Sequence, residues 1–269
     1  MLVIGEKINA SNRSVADAIN RKDEEYLAEL ARSQAASGAD FIDVNAGAGH
    51  GSRESGIANM EWLIDIVQTA IEKPLAIDSD DSDIIAAALR KYRGSELMIN
   101  SVSAEPFRLE AVGRLAAECQ ASLVALAMGE GGIPDNAEDR LSACESIISF
   151  MTKLGVPAER IYFDPLVLPI SVDSNQGLVT LKTLEGIKSR YPTAKTVMGL
   201  SNVSYGLPNR QFINRAFLTM AAYAGLDAVI LDPLDAKIMS FVKVADLLTG
   251  KDPASRKYLR AHRRNAIVG

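Results

Sequence analysis

Short apolar runs, mostly β-branched, alternate along this chain with longer segments whose apolar positions recur at helical spacing. The runs fall at residues 2–8, 41–45, 74–79, 96–101, 122–128, 161–166, 195–200 and 228–231. Each is short enough for a strand buried on both faces. Between them the helical pattern covers residues 23–36, 60–71, 84–92, 105–117, 141–154, 178–190, 211–224 and 236–248. Strand and helix in strict alternation require crossover connections, and crossovers produce a parallel sheet.

Several helical segments end on the glycine that a helix-to-strand turn needs, at Gly38, Gly155 and Gly225, where a left-handed backbone closes the helix. Eight such repeats with no Pro-, Gly- or Ser-rich linker between them predict a single domain over residues 1–269, a closed (β/α)8 or TIM barrel. An open, doubly wound sheet is the structural alternative.

In a parallel barrel the chemistry gathers where strands finish. Reading those positions in order gives Glu6 and Asn9, Asp43 and Asn45, Asp78, Asn100, Met128, Asp164, Asn202 with Ser201 beside it, and Asp232. A single Asp or Asn at such a junction is as readily a helix cap or a turn former as a functional group. The set differs from any one member, because residues from separate strands would point to one mouth. Amides and carboxylates with almost no histidine suit a ligand rich in hydrogen-bond donors and acceptors; a 2-amino-4-oxo pterin edge presents that pattern.

Composition narrows the classes. With 48% hydrophobic and 23% charged residues the chain has the make-up of a globular domain with a large core. A net charge of -5 opposes nucleic-acid binding through phosphate neutralisation. The basic cluster from Arg256 to Arg264 reads as a solvated terminal segment. The opening apolar run is broken by Glu6 and Lys7, unlike a signal peptide. No run approaches the ~20 apolar residues of a membrane helix, so a cytoplasmic protein without membrane contact is expected.

Cys119 and Cys144, the only cysteines, sit on helix-like patterns and are expected in the core. With His50 and His262 the only histidines, no zinc or iron-sulfur site is expected, and no metal is assigned to this chain. There is no G-x-S-x-G elbow and no P-loop, and the glycines after Met128 lack dinucleotide spacing and are expected to form a turn or lid.

Taken together, IGEKIN, DVNAG, LAIDS, MINS, FDPLVLP and TVMGLSNVSYGLPNR, followed by INR, resemble the methyltetrahydrofolate:corrinoid methyltransferases over residues 2–248. The resemblance implies a pterin-binding barrel of the dihydropteroate-synthase type. It implies methyl transfer between N5 of tetrahydrofolate and the cobalt of a corrinoid, in either direction. It places pterin contacts on Asp78, Asn100 and Asp164, with Asp164 at the amino and N3-H edge, the N5 contact on Asn202, and a nearby arginine on Arg210. Glu6, Asn9, Asp43, Asn45 and Ser201 fall around the same mouth.

The corrinoid (cobalamin) would belong to a partner protein, since the D-x-H-x-x-G pattern of cobalamin modules is absent. Tyr205 stands where the enzyme serving the corrinoid iron-sulfur protein carries a polar amide, which argues for a different corrinoid partner. The family habit implies a homodimer. With no histidine or lysine at the N5 position, the implied catalyst is a hydrogen-bond network around Asn202 that tightens toward the transition state.

Two other readings compete. A dihydropteroate synthase would carry a TPDSF-like first loop and a GGxSTRPG-like second one, where this chain has GEKINASN and DVNAGAGHG. A folate-binding subunit without turnover would share the polar strand ends but would not transfer a methyl group.

Overall fold

The computed structural model describes residues 1–47 and 52–269. Its strands are β1 (Leu2–Asn9), β2 (Phe41–Asn45), β3 (Leu75–Asp78), β4 (Leu97–Val102), β5 (Ser122–Leu126), β6 (Ile161–Asp164), β7 (Lys195–Gly199) and β8 (Ala228–Leu231). Each pairs in parallel with the next, and β8 pairs with β1, so the sheet closes in chain order. The alternation read from sequence is therefore a (β/α)8 barrel, and the open-sheet alternative falls.

Helices cover the outside: α1 (Arg13–Arg21), α2 (Glu24–Ala36), α3 (Arg53–Ala70), α4 (Ser82–Lys91), α5 (Pro106–Glu118), α6 (Ala137–Lys153), α7 (Gln176–Arg190), α8 (Arg210–Tyr223), α9 (Ala236–Leu248) and α10 (Arg256–Arg263). The glycines expected to close helices do so, with φ of 102° at Gly38, 76° at Gly155 and 108° at Gly225. Helix starts run ahead of the apolar pattern because first turns are polar. Thus α3 begins at its Ser52 cap and α6 at its Asn136 cap, upstream of the residues that touch the sheet.

Two helices were not expected. In α1, Val15, Ala18 and Ile19 are buried while most of the remaining face is solvated. In α10 the basic terminal cluster is exposed as anticipated but wound into a helix, begun where Asp252 accepts from the backbone N–H groups of Lys257 and Tyr258. Cys119 corrects an expectation: it caps the end of α5 and is exposed, because the helix ends before the position reaches the sheet. Cys144 is buried as expected, and burial pushes its thiol up to about 12. His50 lies outside the described residues. Among the described residues no helix is long and apolar enough to cross a membrane.

Two apolar layers result from the two-residue period of the strands. Ile42, Val44, Leu75, Ile77, Ile99, Leu123 and Phe163 pack outward against the helices. Ile4, Phe41, Ala76, Met98, Val124, Val197 and Ala228 form a separate cluster with Tyr162. Side chains from eight strands and no helix can meet only inside the barrel, so this cluster is its internal plug.

The Phe163 side chain is fully buried, with its ring 5.8 Å from that of Tyr191. Phe163→Ala should cost roughly 3 to 5 kcal/mol of stability. Urea denaturation showing a loss below about 1 kcal/mol would contradict this packing.

Candidate functional site

The site follows from the plug by counting. Two residues beyond each plug position, the strands again face inward, at Glu6, Asp43, Asp78, Asn100, Leu126, Asp164, Gly199 and Ile230. The inner layer toward the C-terminal ends is thus mostly polar, and Gly199 contributes no side chain to fill it. Strand pairing sets Asp78 beside Asn100 and Leu126 beside Asp164.

One side of this layer is a connected network. Asn45 Nδ2 donates to Asp78 Oδ2 at 2.9 Å and Asn9 Nδ2 to the same oxygen at 3.4 Å. Asn100 Nδ2 donates to Asp43 Oδ1 at 3.0 Å. Asp78 does not cap the following helix; Asp81 does, by accepting from Asp83 N. The capping explanation for Asp78 is thereby removed.

Asp43 is buried, with Asp78 as its carboxyl neighbour. Desolvation and then the Asp78 charge hold the Asp43 carboxyl well above the ordinary range. Asp78 is raised by burial and restrained by hydrogen bonds from Asn45 and Asp43. Of the two acids Asp43 is therefore the more strongly held toward its neutral form. Glu6 of β1 is raised by burial and by Asp232, while Lys7 and Arg210 oppose the shift.

Asp164 stands apart on β6. Its Oδ1 accepts from Leu166 N at 2.8 Å, and among the described residues Oδ2 has no hydrogen-bond donor. Burial raises this carboxyl to about 7, opposed by the Leu166 N–H and by Arg140. A buried carboxylate with an open acceptor suits a ligand carrying paired N–H donors.

Asn202 lies in a short 3-10 turn, residues 200–204, after β7. Its amide is exposed and makes no side-chain hydrogen bond among the described residues, and Gly199 leaves open space beside it. Arg210 is committed largely to its own loop: Nε donates to Ser204 Oγ at 3.0 Å and Nη2 to the Ser201 carbonyl at 2.6 Å. It supports the turn that carries Ser201 and Asn202. Ser201, Arg210, Glu6, Asn214 and Asp232 line a cavity of about 350 Å³ on the β1, β7 and β8 side, within the size range of small-molecule sites.

Two further arginines belong to this architecture, and strand-end reading could not find them because both lie on helices. Arg108 of α5 donates to the backbone carbonyls of Ser79, Asp80 and Ser101, tying the segment after Asp78 to the one after Asn100. Arg140 of α6 is fully buried and donates to the loop after Asp164. The only sequence signal was a charge beside an apolar helical pattern, the usual mark of a solvated face.

The pterin-binding enzyme family matches residues 5–232, nearly all of the barrel. The chain belongs to this family. Within it, the chain is 34% identical over 269 residues to a methylcorrinoid:tetrahydrofolate methyltransferase of Eubacterium limosum, covering 99% of this chain and 98% of that one. It is 30% identical over 244 residues to methionine synthase of Mycobacterium tuberculosis, 86% of this chain but 20% of that much longer protein. Among solved structures, a dihydropteroate synthase from Xanthomonas albilineans in complex with 7,8-dihydropteroate superposes with a TM-score of 0.68 at 18% identity, covering 94% of this chain and 93% of that one. Dihydropteroate synthase from Coxiella burnetii in complex with pteroic acid gives 0.69 at 14% identity, covering 93% and 94%. At such identity these structures establish the shared barrel and nothing of the reaction.

An acid whose folded-state pKa is raised contributes stability that is full below its unfolded value and lost as pH rises through the folded one. Asp43→Asn, which cannot ionise, should therefore gain in melting temperature relative to wild type as pH climbs above about 4. A difference that stays constant from acid to alkaline pH would show that the fold does not raise the Asp43 carboxyl.

Proposed function

We propose that this protein moves a methyl group between N5 of tetrahydrofolate and the corrinoid of a partner protein, holding the pterin with Asp78, Asn100 and Asp164. The observation that carries the reading is the inward-facing polar layer of the barrel, in a chain that matches a methylcorrinoid:tetrahydrofolate methyltransferase from end to end. The corrinoid supplies or accepts the methyl group; this chain supplies binding, orientation and control of N5. A dihydropteroate synthase shares the barrel, but GEKINASN and DVNAGAGHG stand where its reaction loops would be.

The pterin fits the donors available. Asp164 offers an open acceptor to the amino and N3-H edge. On the opposite side Asp78 and Asn100 are held in place by Asn45 and Asp43 before any ligand arrives, so little ordering is left for binding to accomplish. Asn202, with its amide free of protein partners among the described residues, reaches N5. Its contact strengthens as the C–N bond changes, and the reacting atoms are held in line by the pocket. Arg210 acts through the loop it braces. The chain reads as a single domain over residues 1–269, with the corrinoid approaching the open mouth from outside.

The same reading includes a homodimer. Phe212, Met220 and Tyr223 are exposed at helical spacing along one face of α8, and Tyr223 is 84% exposed. Such a stripe is covered in a stable protein by another surface. Light scattering should give twice the chain mass at micromolar concentration, and Tyr223→Glu combined with Phe212→Glu should yield monomers; a wild-type monomer would remove the dimer.

Asn202→Ala should lower methyl transfer by about ten- to a thousand-fold, the scale of one preorganised polar contact. Affinity for methyltetrahydrofolate should change much less. Asp164→Ala should instead weaken folate binding by roughly 1 to 3 kcal/mol, since it strips the acceptor from two N–H donors. Stopped-flow transfer to Co(I) cobalamin and titration calorimetry separate the two effects. An Asn202→Ala protein with wild-type single-turnover rates would defeat the catalytic assignment, and a wild-type protein that binds folate without turnover would be a binding subunit.

A further inference from the structure

Arg140 is among the largest fully buried side chains of the molecule, and no carboxylate lies within ion-pair distance of it among the described residues. Its hydrogen bonds run to neutral acceptors. Nε donates to the Pro134 carbonyl at 2.9 Å, Nη1 to the Pro165 and Leu166 carbonyls at 2.8 and 2.7 Å, and Nη2 to Gln176 Oε1 at 2.8 Å. A guanidinium taken out of water needs both donors' partners and a compensating charge. The carbonyls satisfy the first need. For the second, Asp164 is the foremost acid acting on it, followed by Asp135.

The residue that hydrogen-bonds both Arg140 and Asp164 is Leu166. Leu166 has a φ of 64°, a conformation that a side chain with a Cβ seldom adopts. Its N–H donates to Asp164 Oδ1, while its carbonyl accepts from Arg140 and from Thr180 Oγ1 at 3.1 Å. The turn after β6 is thus fixed at one end by the carboxylate and at the other by the guanidinium. Pro134 belongs to the preceding mouth loop, so the same side chain also ties the β5 and β6 loops together.

We propose that Arg140 is the positioning residue of the folate site: through Leu166 it aims the Asp164 carboxylate, and its charge favours the anionic form that accepts from the pterin N–H groups. The inference rests on the assignment of Asp164 to the pterin made above. From α6, Asp164 faces Arg140 and Cys144. The Cys144 thiol, pushed up to about 12, stays neutral in the relevant range. On β5 the register partner of Asp164 is Leu126, on β7 the charged Lys195 pairs with Tyr162 two residues earlier, and Asp173 engages Gln176 at 3.1 Å instead, so Arg140 is the charged group that acts on Asp164. Arg140 is therefore the cation that opposes the burial of Asp164.

The test is the pH dependence of tetrahydrofolate affinity, measured by anaerobic calorimetry from about pH 6 to about pH 9 beside a thermal melt. Wild-type affinity should rise through a midpoint near 7 as Asp164 loses its proton. Asp164→Asn should abolish that step. Arg140→Met should move the midpoint up by roughly one pH unit or more, the effect of losing an opposite charge close by, and weaken binding about tenfold at neutral pH. Arg140→Lys, with the charge but not the planar fork, should keep the midpoint near that of wild type while losing affinity. Where Arg140→Met does not fold, Gln176→Glu places a carboxylate against the guanidinium while keeping their hydrogen bond, and should move the midpoint in the same direction. A folded Arg140→Met, or failing that Gln176→Glu, with the wild-type midpoint would overturn the proposal and leave Arg140 a structural brace only. Absence of folate binding by wild type at every pH would instead sink the functional reading on which it rests.

Discussion

Closing eight parallel strands obliges every second residue to enter a space that water reaches only from the end. The fold meets this with an apolar plug and then, one layer higher, with acids and amides. Each such acid is a liability unless it is hydrogen-bonded, protonated or matched by charge. The rest of the site can be understood as three local answers. Asp78 receives amide donors from Asn45 and Asn9. Asp43, with Asn100 donating to it and Asp78 alongside, is pushed toward its neutral form. Asp164 is approached by a buried arginine.

These answers divide the mouth by charge. On the β1 to β4 side, hydrogen bonds from three amides lock the two acids in place, so that geometry is set before a ligand enters. On the β6 side the carboxylate keeps an acceptor open and depends on a helix outside the barrel for its orientation. An edge of adjacent N–H donors is matched by the second kind of surface, and a mixed donor and acceptor edge by the first. Polarity alone would have allowed many ligands. It is the asymmetry between a closed network and an open anion that resembles a lock for a pterin.

The fold was legible because the barrel writes the same message eight times: a short apolar run, a polar strand end, an amphipathic helix. Even so, α1 was hidden, since a helix with three buried residues leaves too little apolar period to notice. Cys119 was misplaced because the pattern could not show that its helix ended at that residue. The strand-end residues were legible individually, and the two-residue period explains why they converge. What sequence could not show was who holds them. Arg108 and Arg140 act on backbone carbonyls, and a carbonyl has no letter in a sequence.

Arg210 shows the same limit from the other direction. Motif matching put it beside the pterin, while the structure has it gripping Ser204 and the Ser201 carbonyl. Asn202 sits in a 3-10 turn, whose hydrogen bonds are poorer than those of an α-helix and whose geometry is easily altered. An amide on such a turn would wander unless something outside the turn fixed it. A guanidinium bridging a side-chain oxygen and a carbonyl of that turn removes this freedom. Arg140 stands in the same relation to Asp164. Short polar side chains line the mouth and long cationic ones brace the loops behind them, because only the long ones can reach from a helix to the loops of a closed barrel.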